Sequence, residues 1–332
     1  MRTIIKGMGH YTPKNIVTNK DLEKLIDTSD EWIRDRTGIE QRHFITIGKD
    51  TTASMGYEAA KIAIANAGIE PDDIDFIIFA TLSADMIFPG PGVFVQEMLG
   101  IKEVGALDVR TQCTGFIYAL SIADQYIKTG MYKTILVIGS EAQSPALDMT
   151  DRGRTMSVLF GDGAGAAVVQ ATDDKSRGVL STHLHSQGKY AEALMMREPG
   201  TGHAQRIYSG IETDYDNIFP YMEGTKVFRH AITRFQEVIN EGLQANNLKP
   251  EDIDMLIPHQ ANLRIIQMVQ KKLKLNDENV YSNIQRYGNT TAASIPIATS
   301  ELLSQNRIKK NDLVVLAAFG SGFTWASAII RW

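Results

Sequence analysis

Apolar residues along the chain fall into two recurring patterns. Short unbroken runs, "FIIFA" at 76–80 and "MLIP" at 255–258, predict strands buried on both faces. Longer stretches space their apolar residues three or four apart. Phe116, Leu120, Ala123 and Ile127 predict one face of a helix that follows a short strand at Ala106–Val109. In "NLRIIQMVQKKLKL" the same period turns Ile265, Ile266, Val269 and Leu273 inward and leaves Arg264, Lys271 and Lys274 outside. Helices alternate with apolar strands through most of the chain, which predicts an α/β architecture with largely buried sheets. The exception is 187–221, where glycines, charges and tyrosines break any period; an irregular segment of that length predicts a functional insertion or a lid.

The pattern also repeats. A helix, a Pro-Asp/Glu-Asp-Ile-Asp turn and a buried strand at 60–83 return at 238–261, with Pro71 matching Pro250 at an offset of 179 (250 − 71). "FGDGAGAAVV" from Phe160 and "FGSGFTWASAII" from Phe319 form a second matched pair, each a glycine turn beside a strand. Two landmarks in the same order predict a duplicated chain, with halves 1–171 and 179–332 meeting near the polar "ATDDKSRG" at 171–178.

Composition adds exclusions. A chain of 332 residues with 43% hydrophobic and 22% charged residues can bury a large core. A net charge of −5 argues against a general nucleic-acid binder, so an acidic partner has to meet a local basic patch. No apolar run is long enough for a membrane span and no secretory leader is evident, and one cysteine fits a reducing compartment; the expectation is a cytoplasmic protein.

That cysteine, Cys113, falls at the strand-to-helix junction after "ALDVRTQ". Cysteine is often only a small buried hydrophobe. A helix N-terminus, however, stabilises a thiolate, and this junction predicts an apparent pKa of roughly 6.5–7.5. The duplication decides between the two readings. Asn289 lies 39 residues after Pro250 (289 − 250) and Cys113 lies 42 after Pro71 (113 − 71), each opening an apolar helix. Asn289 has the character of an N-cap, and His259 closes its strand at the carboxyl end, the edge where ligands bind in such sheets. Cys113, His259 and Asn289 are thereby placed on comparable edges of two related halves.

At these residues the sequence resembles the β-ketoacyl-acyl carrier protein synthases of type III, in the thiolase superfamily. The resemblance runs through "SDEWIRDRTGI" at 29–39, "CTGFIYAL" at 113–120, "LFGDGAGAAVV" at 159–169, "PHQANLRI" at 258–265, "YGNTTAASIP" at 287–296 and "FGSGFTWASA" at 319–328. It implies a five-layered αβαβα fold, a homodimer, and condensation of an acyl-CoA with malonyl-acyl carrier protein. Cys113 would carry the acyl group, His259 and Asn289 would stabilise the decarboxylated nucleophile, and the backbones of Cys113 and Ser321 would form the oxyanion hole. Trp32, Arg36, Thr37, Arg152, Gly224, Phe228, Ala261 and Asn262 would bind CoA, with Arg154 as a competitor for the place of Arg152. Phe88 would close the acyl pocket across the dimer, and Arg229, Arg264, Lys271 and Lys272 would dock the acidic carrier protein. No metal or other cofactor is implied.

The residue inventory separates relatives. A thiolase needs a second cysteine, and an elongating synthase pairs its cysteine with two histidines, whereas Asn289 stands here. A papain-like hydrolase would share Cys, His and Asn but lacks any "CGSCW"-like neighbourhood in this chain, and a binding scaffold needs none of the three. "RTQC" in place of small residues before the cysteine, serine where the family usually has glycine at 321, and the length of 187–221 leave a secondary-metabolite condensing enzyme or an acyltransferase as the alternative.

Overall fold

The computed structural model describes residues 1–202 and 215–332. Two mixed sheets organise them. In the first the order is β1 (Arg2–Tyr11), β5 (Gly163–Thr172), β4 (Thr134–Glu141), β2 (Phe76–Ala80) and β3 (Gly105–Val109); in the second it is β7 (Met255–Pro258), β8 (Leu313–Gly320), β9 (Thr324–Arg331) and β6 (Gly178–Ser186). Their connectivity is the same. β2 runs parallel to β4, which pairs antiparallel with β5 and β5 with β1; β7 runs parallel to β8, which pairs antiparallel with β9 and β9 with β6.

The repeated turn is built identically in both halves. Asp73 and Asp252 accept from the backbone N–H groups of Glu70 and Lys249 at 2.9 and 2.8 Å. Asp75 and Asp254 then accept from the first strand residue of the neighbouring strand, Thr134 and Leu313. A short acidic run is therefore a device for entering β2 and β7, and its sequence repeat is a repeat of hydrogen bonding.

Seven helices matter for the site: α1 (Asp30–Thr37), α2 (Thr52–Ala67), α3 (Pro91–Met98), α4 (Gly115–Lys128), α5 (Gly224–Ala245), α6 (Leu263–Leu273) and α7 (Ser294–Ser304). Three apolar cores sort them into layers. α2 and α3 cover the outer face of the first sheet through Ala59, Ala63, Ile77 and Leu136. α5 and α6 cover the outer face of the second through Phe235, Val238, Val269 and Val315. Between the sheets lie α4 and α7, which contribute Phe116, Leu120, Ala123, Ile127, Ile295 and Leu302 to a core shared with Ile78, Val137, Leu316 and Ala328. The result is α, β, α, β, α, as expected. Each fully buried Ile, Leu or Phe contributes about 1.5–3 kcal/mol, so this shared middle layer fixes the two halves on each other. That matters because Cys113 introduces α4 and Asn289 lies on the approach to α7.

The described part of segment 187–221 carries regular structure. Residues 203–214 lie outside the described residues, but Leu194–Met195 pairs antiparallel with Tyr221–Met222. Strands of two residues leave no period to read. Among the described residues no helix is long and apolar enough to cross a membrane.

Candidate active site

Cys113 lies in a 3-10 turn, Gln112–Thr114, between β3 and α4. The turn lets the chain reverse while aiming the thiol at β8. Gly320 ends that strand directly against it: a Cβ there would stand 2.7 Å from the Cys113 Cβ and 3.1 Å from Sγ. The backbone N–H groups of Cys113 and Ser321, the two donors expected to form an oxyanion hole, act on the thiol by favouring its charged form. Ser321 is not in the left-handed region, so its Cβ is tolerated, and its hydroxyl donates to the Leu194 carbonyl.

Burial argues against the expected thiolate. Burial first, and the nearby Glu141 carboxylate second, push the Cys113 thiol up to about 12, while the two N–H donors only partly oppose them. The helix-terminus argument assumed an exposed junction, whereas Cys113 is buried. Glu141 is also buried, and it accepts from the Thr81 and Ser83 hydroxyls at 3.0 and 2.5 Å.

His259 follows β7 and is registered on β8 by its backbone N–H, which donates to the Ala317 carbonyl at 2.8 Å. Its ring is buried; Nδ1 contacts Ser294 Oγ at 2.6 Å, and Nε2 has no partner among the described residues. Burial depresses its pKa to about 3, so the imidazole is neutral. Asn289 is held from both sides of the glycine turn, its N–H donating to the Leu159 carbonyl at 2.8 Å and its carbonyl accepting from Gly161 at 3.1 Å. It does not cap α7, as its position suggested: Ala293 precedes that helix. Its Oδ1 instead accepts from the Thr291 N–H at 2.9 Å, which turns the side chain and commits its acceptor. What remains to Asn289 is the Nδ2 donor.

Cys113, His259 and Asn289 line one cavity of about 280 Å³. Its other walls include Trp32, Arg36 and Thr37 from α1, Gly224 and Phe228 from α5, and Ala261 and Asn262 before α6. A buried nucleophile, two backbone donors, two neutral side-chain donors and a lined approach suit chemistry on a thioester carried on a long arm.

Comparison with known proteins agrees. The profile of 3-oxoacyl-[acyl-carrier-protein (ACP)] synthase III matches residues 107–188, and that of the C-terminal part of the same synthase matches 243–332. The chain is 47% identical over 331 residues to "Beta-ketoacyl-[acyl-carrier-protein] synthase III" of Escherichia coli (strain K12), covering 100% of both. This chain belongs to the 3-oxoacyl-[acyl-carrier-protein] synthase III family. It is a condensing enzyme of the acyltransferase type. Among solved structures, the synthase III of Aquifex aeolicus VF5 superposes with a TM-score of 0.91 at 42% identity, covering 99% of this chain and 100% of that one. The priming β-ketosynthase of the R1128 polyketide pathway gives 0.90 at 30% identity, covering 99% and 96%.

Not every residue expected from the family resemblance gathers at the cavity. Arg152 ion-pairs with Asp148 at 2.6 Å and lies over Phe219, whereas the guanidinium of its competitor, Arg154, stands 5.2 Å from the Trp32 ring centroid. Phe88 is 81% exposed, outside the cavity of its own chain. Arg229 on α5 and Arg264, Lys271 and Lys272 on α6 are exposed and do not line the cavity, and Arg264 pairs with Asp35 at 2.8 Å while Lys272 bonds Gln236. Gly320, Phe319, Leu194, Met222 and Phe235 also line the cavity and were missed. Phe319 and Gly320 had a signal, since they complete the repeat of Phe160 and Gly161.

Proposed function

We propose that this condensing enzyme starts fatty acid synthesis by joining an acyl-CoA primer to malonyl-acyl carrier protein. The observation that carries the reading is the shared cavity of Cys113, His259 and Asn289, reached past Trp32 and Phe228. In the first half-reaction the Cys113 sulfur attacks the thioester carbonyl, the Cys113 and Ser321 N–H groups hold the oxyanion, and CoA leaves as the thiol with the cysteine's proton. In the second, malonyl thioester loses CO₂, and the enolate oxygen is held by His259 Nε2–H and Asn289 Nδ2–H. The enolate carbon attacks the acyl carbonyl; the tetrahedral adduct expels Cys113 as thiolate, which regains a proton from water, and β-ketoacyl carrier protein departs.

The carrier protein would dock on the face formed by Arg229, Arg264, Lys271 and Lys272, and the CoA adenine would stack on Trp32. A homodimer completes the reading. β3 is an edge strand with its outer side unpaired among the described residues, and Ile87 and Phe88 stand 72% and 81% exposed on the loop after β2. The Cys113→Ala protein should gain no acyl mass from an acyl-CoA. His259→Ala and Asn289→Ala should still acylate but lose about 10²–10³ in condensation, the cost of one oxyanion donor. Normal condensation by Asn289→Ala would remove its assigned role.

A further inference from the structure

Ser294 is the first residue of α7, is buried, and does not line the cavity, yet its hydroxyl oxygen is 2.6 Å from His259 Nδ1. The same oxygen lies 3.4 Å from the backbone N of Gln260, an N–H that can only donate. These are its two hydrogen-bond contacts among the described residues. We infer that Ser294 is a positioning residue that fixes His259 as the Nε2–H tautomer by donating its hydroxyl proton to Nδ1.

Two arrangements have to be compared. If Nδ1 carried the proton, it and the Gln260 N–H would both donate to Ser294 Oγ, leaving the serine hydroxyl proton buried without an acceptor and a bare, unpartnered Nε2 lone pair on a residue that shares its cavity with Cys113 and Asn289. An unmade bond of that kind costs about 1–3 kcal/mol, and the lone pair would repel an enolate oxygen. If Ser294 donates to Nδ1, the Gln260 N–H, the hydroxyl proton and Nδ1 are all satisfied. The one unpaired group is then Nε2–H, on a residue that lines the cavity. Protonation of both nitrogens is opposed by burial, which keeps the ring neutral. Asn289 is prepared in the same way, its acceptor occupied and its donor left open.

The role in condensation rests on the reading above; the tautomer itself does not. Nitrogen-15 chemical shifts of the His259 ring, recorded on the intact protein, should show protonated Nε2 and bare Nδ1 in the native chain and a loss of that single pattern in Ser294→Ala. Acylation of Ser294→Ala by acyl-CoA should stay within about twofold of native, while kcat for malonyl-carrier-protein condensation falls about 10–100-fold, the range typical when a partner orienting a functional imidazole is removed. KM should change little, and Ser294→Thr should restore both the ring pattern and the rate. Retention of the native Nε2–H pattern in Ser294→Ala overturns the inference, and so does an equal loss of both half-reactions. A native protein that shows the tautomer but does not condense malonyl thioesters would instead overturn the functional reading.

Discussion

Gly320→Ala probes how closely β8 approaches the nucleophile. The added Cβ would lie 2.7 Å from the Cys113 Cβ and 3.2 Å from the Cys113 backbone N. Ordinary carbon contact is about 3.5–4.0 Å, so the turn and the end of β8 must separate by about 0.8 Å or more. The two proposed oxyanion donors lie on either side of that gap, on Cys113 and on Ser321, the next residue after the substitution. Moving one donor by that amount takes a hydrogen bond of about 2.9 Å beyond useful reach. The acylation step should therefore slow about 10²–10³-fold, or about 2.7–4 kcal/mol, and overpacking should cost a further 1–3 kcal/mol of stability, by order of magnitude about. The assay is single-turnover acylation, read as mass added to Cys113, with thermal unfolding measured in parallel. A variant that acylates within about threefold of native would show that the donors are not held by this contact.

Two further outcomes follow from the geometry. Because the Cys113 thiol is pushed up to about 12, it stays protonated at neutral pH, and its iodoacetamide alkylation should keep rising with pH well past the midpoint of a free thiol, about 8.5; a plateau near pH 7 would refute the burial argument. Arg154→Ala should raise the KM for acyl-CoA by several-fold more than Arg152→Ala, since Arg154, like Arg36, stands over Trp32 and is tied only to the exposed Asp27, whereas Arg152 pairs with the buried Asp148; the reverse order in steady-state kinetics would return adenine contact to Arg152.

Much of the fold was legible because its cues are local. Unbroken apolar runs gave β2 and β7, a three-to-four spacing gave α4 and α6, and an acidic turn that serves the same hydrogen bonds twice exposed the duplication. The positions of Cys113, His259 and Asn289 followed, since equivalent junctions of two like halves face one another across α4 and α7. What escaped depends on contacts distant in sequence. Ser294 is 35 residues from His259 (294 − 259), and the pairing of Leu194–Met195 with Tyr221–Met222 spans the longest irregular stretch. Nothing in a one-dimensional pattern reports how deeply a junction is buried, and this misled the reading of the cysteine.

The same burial bears on mechanism. A hydrolase that works through a thiolate–imidazolium pair needs its histidine to hold a proton more tightly than its cysteine. Here the order is reversed, with His259 depressed to about 3 and Cys113 raised to about 12. Transfer of the thiol proton to the imidazole in the resting site is strongly uphill, so a Cys–His ion pair is not the working state. With both groups neutral at rest, the charge in the proposed reaction develops on substrate oxygen rather than on the protein. Neutral donors, the N–H groups of Cys113 and Ser321 on one side and His259 and Asn289 on the other, suit that demand, because they stabilise an oxyanion without the cost of keeping a charge buried beforehand. The directions of the two shifts, His259 down and Cys113 up, disfavour a preformed thiolate–imidazolium pair and agree with the proposed reaction, which creates oxyanions on the substrate in succession.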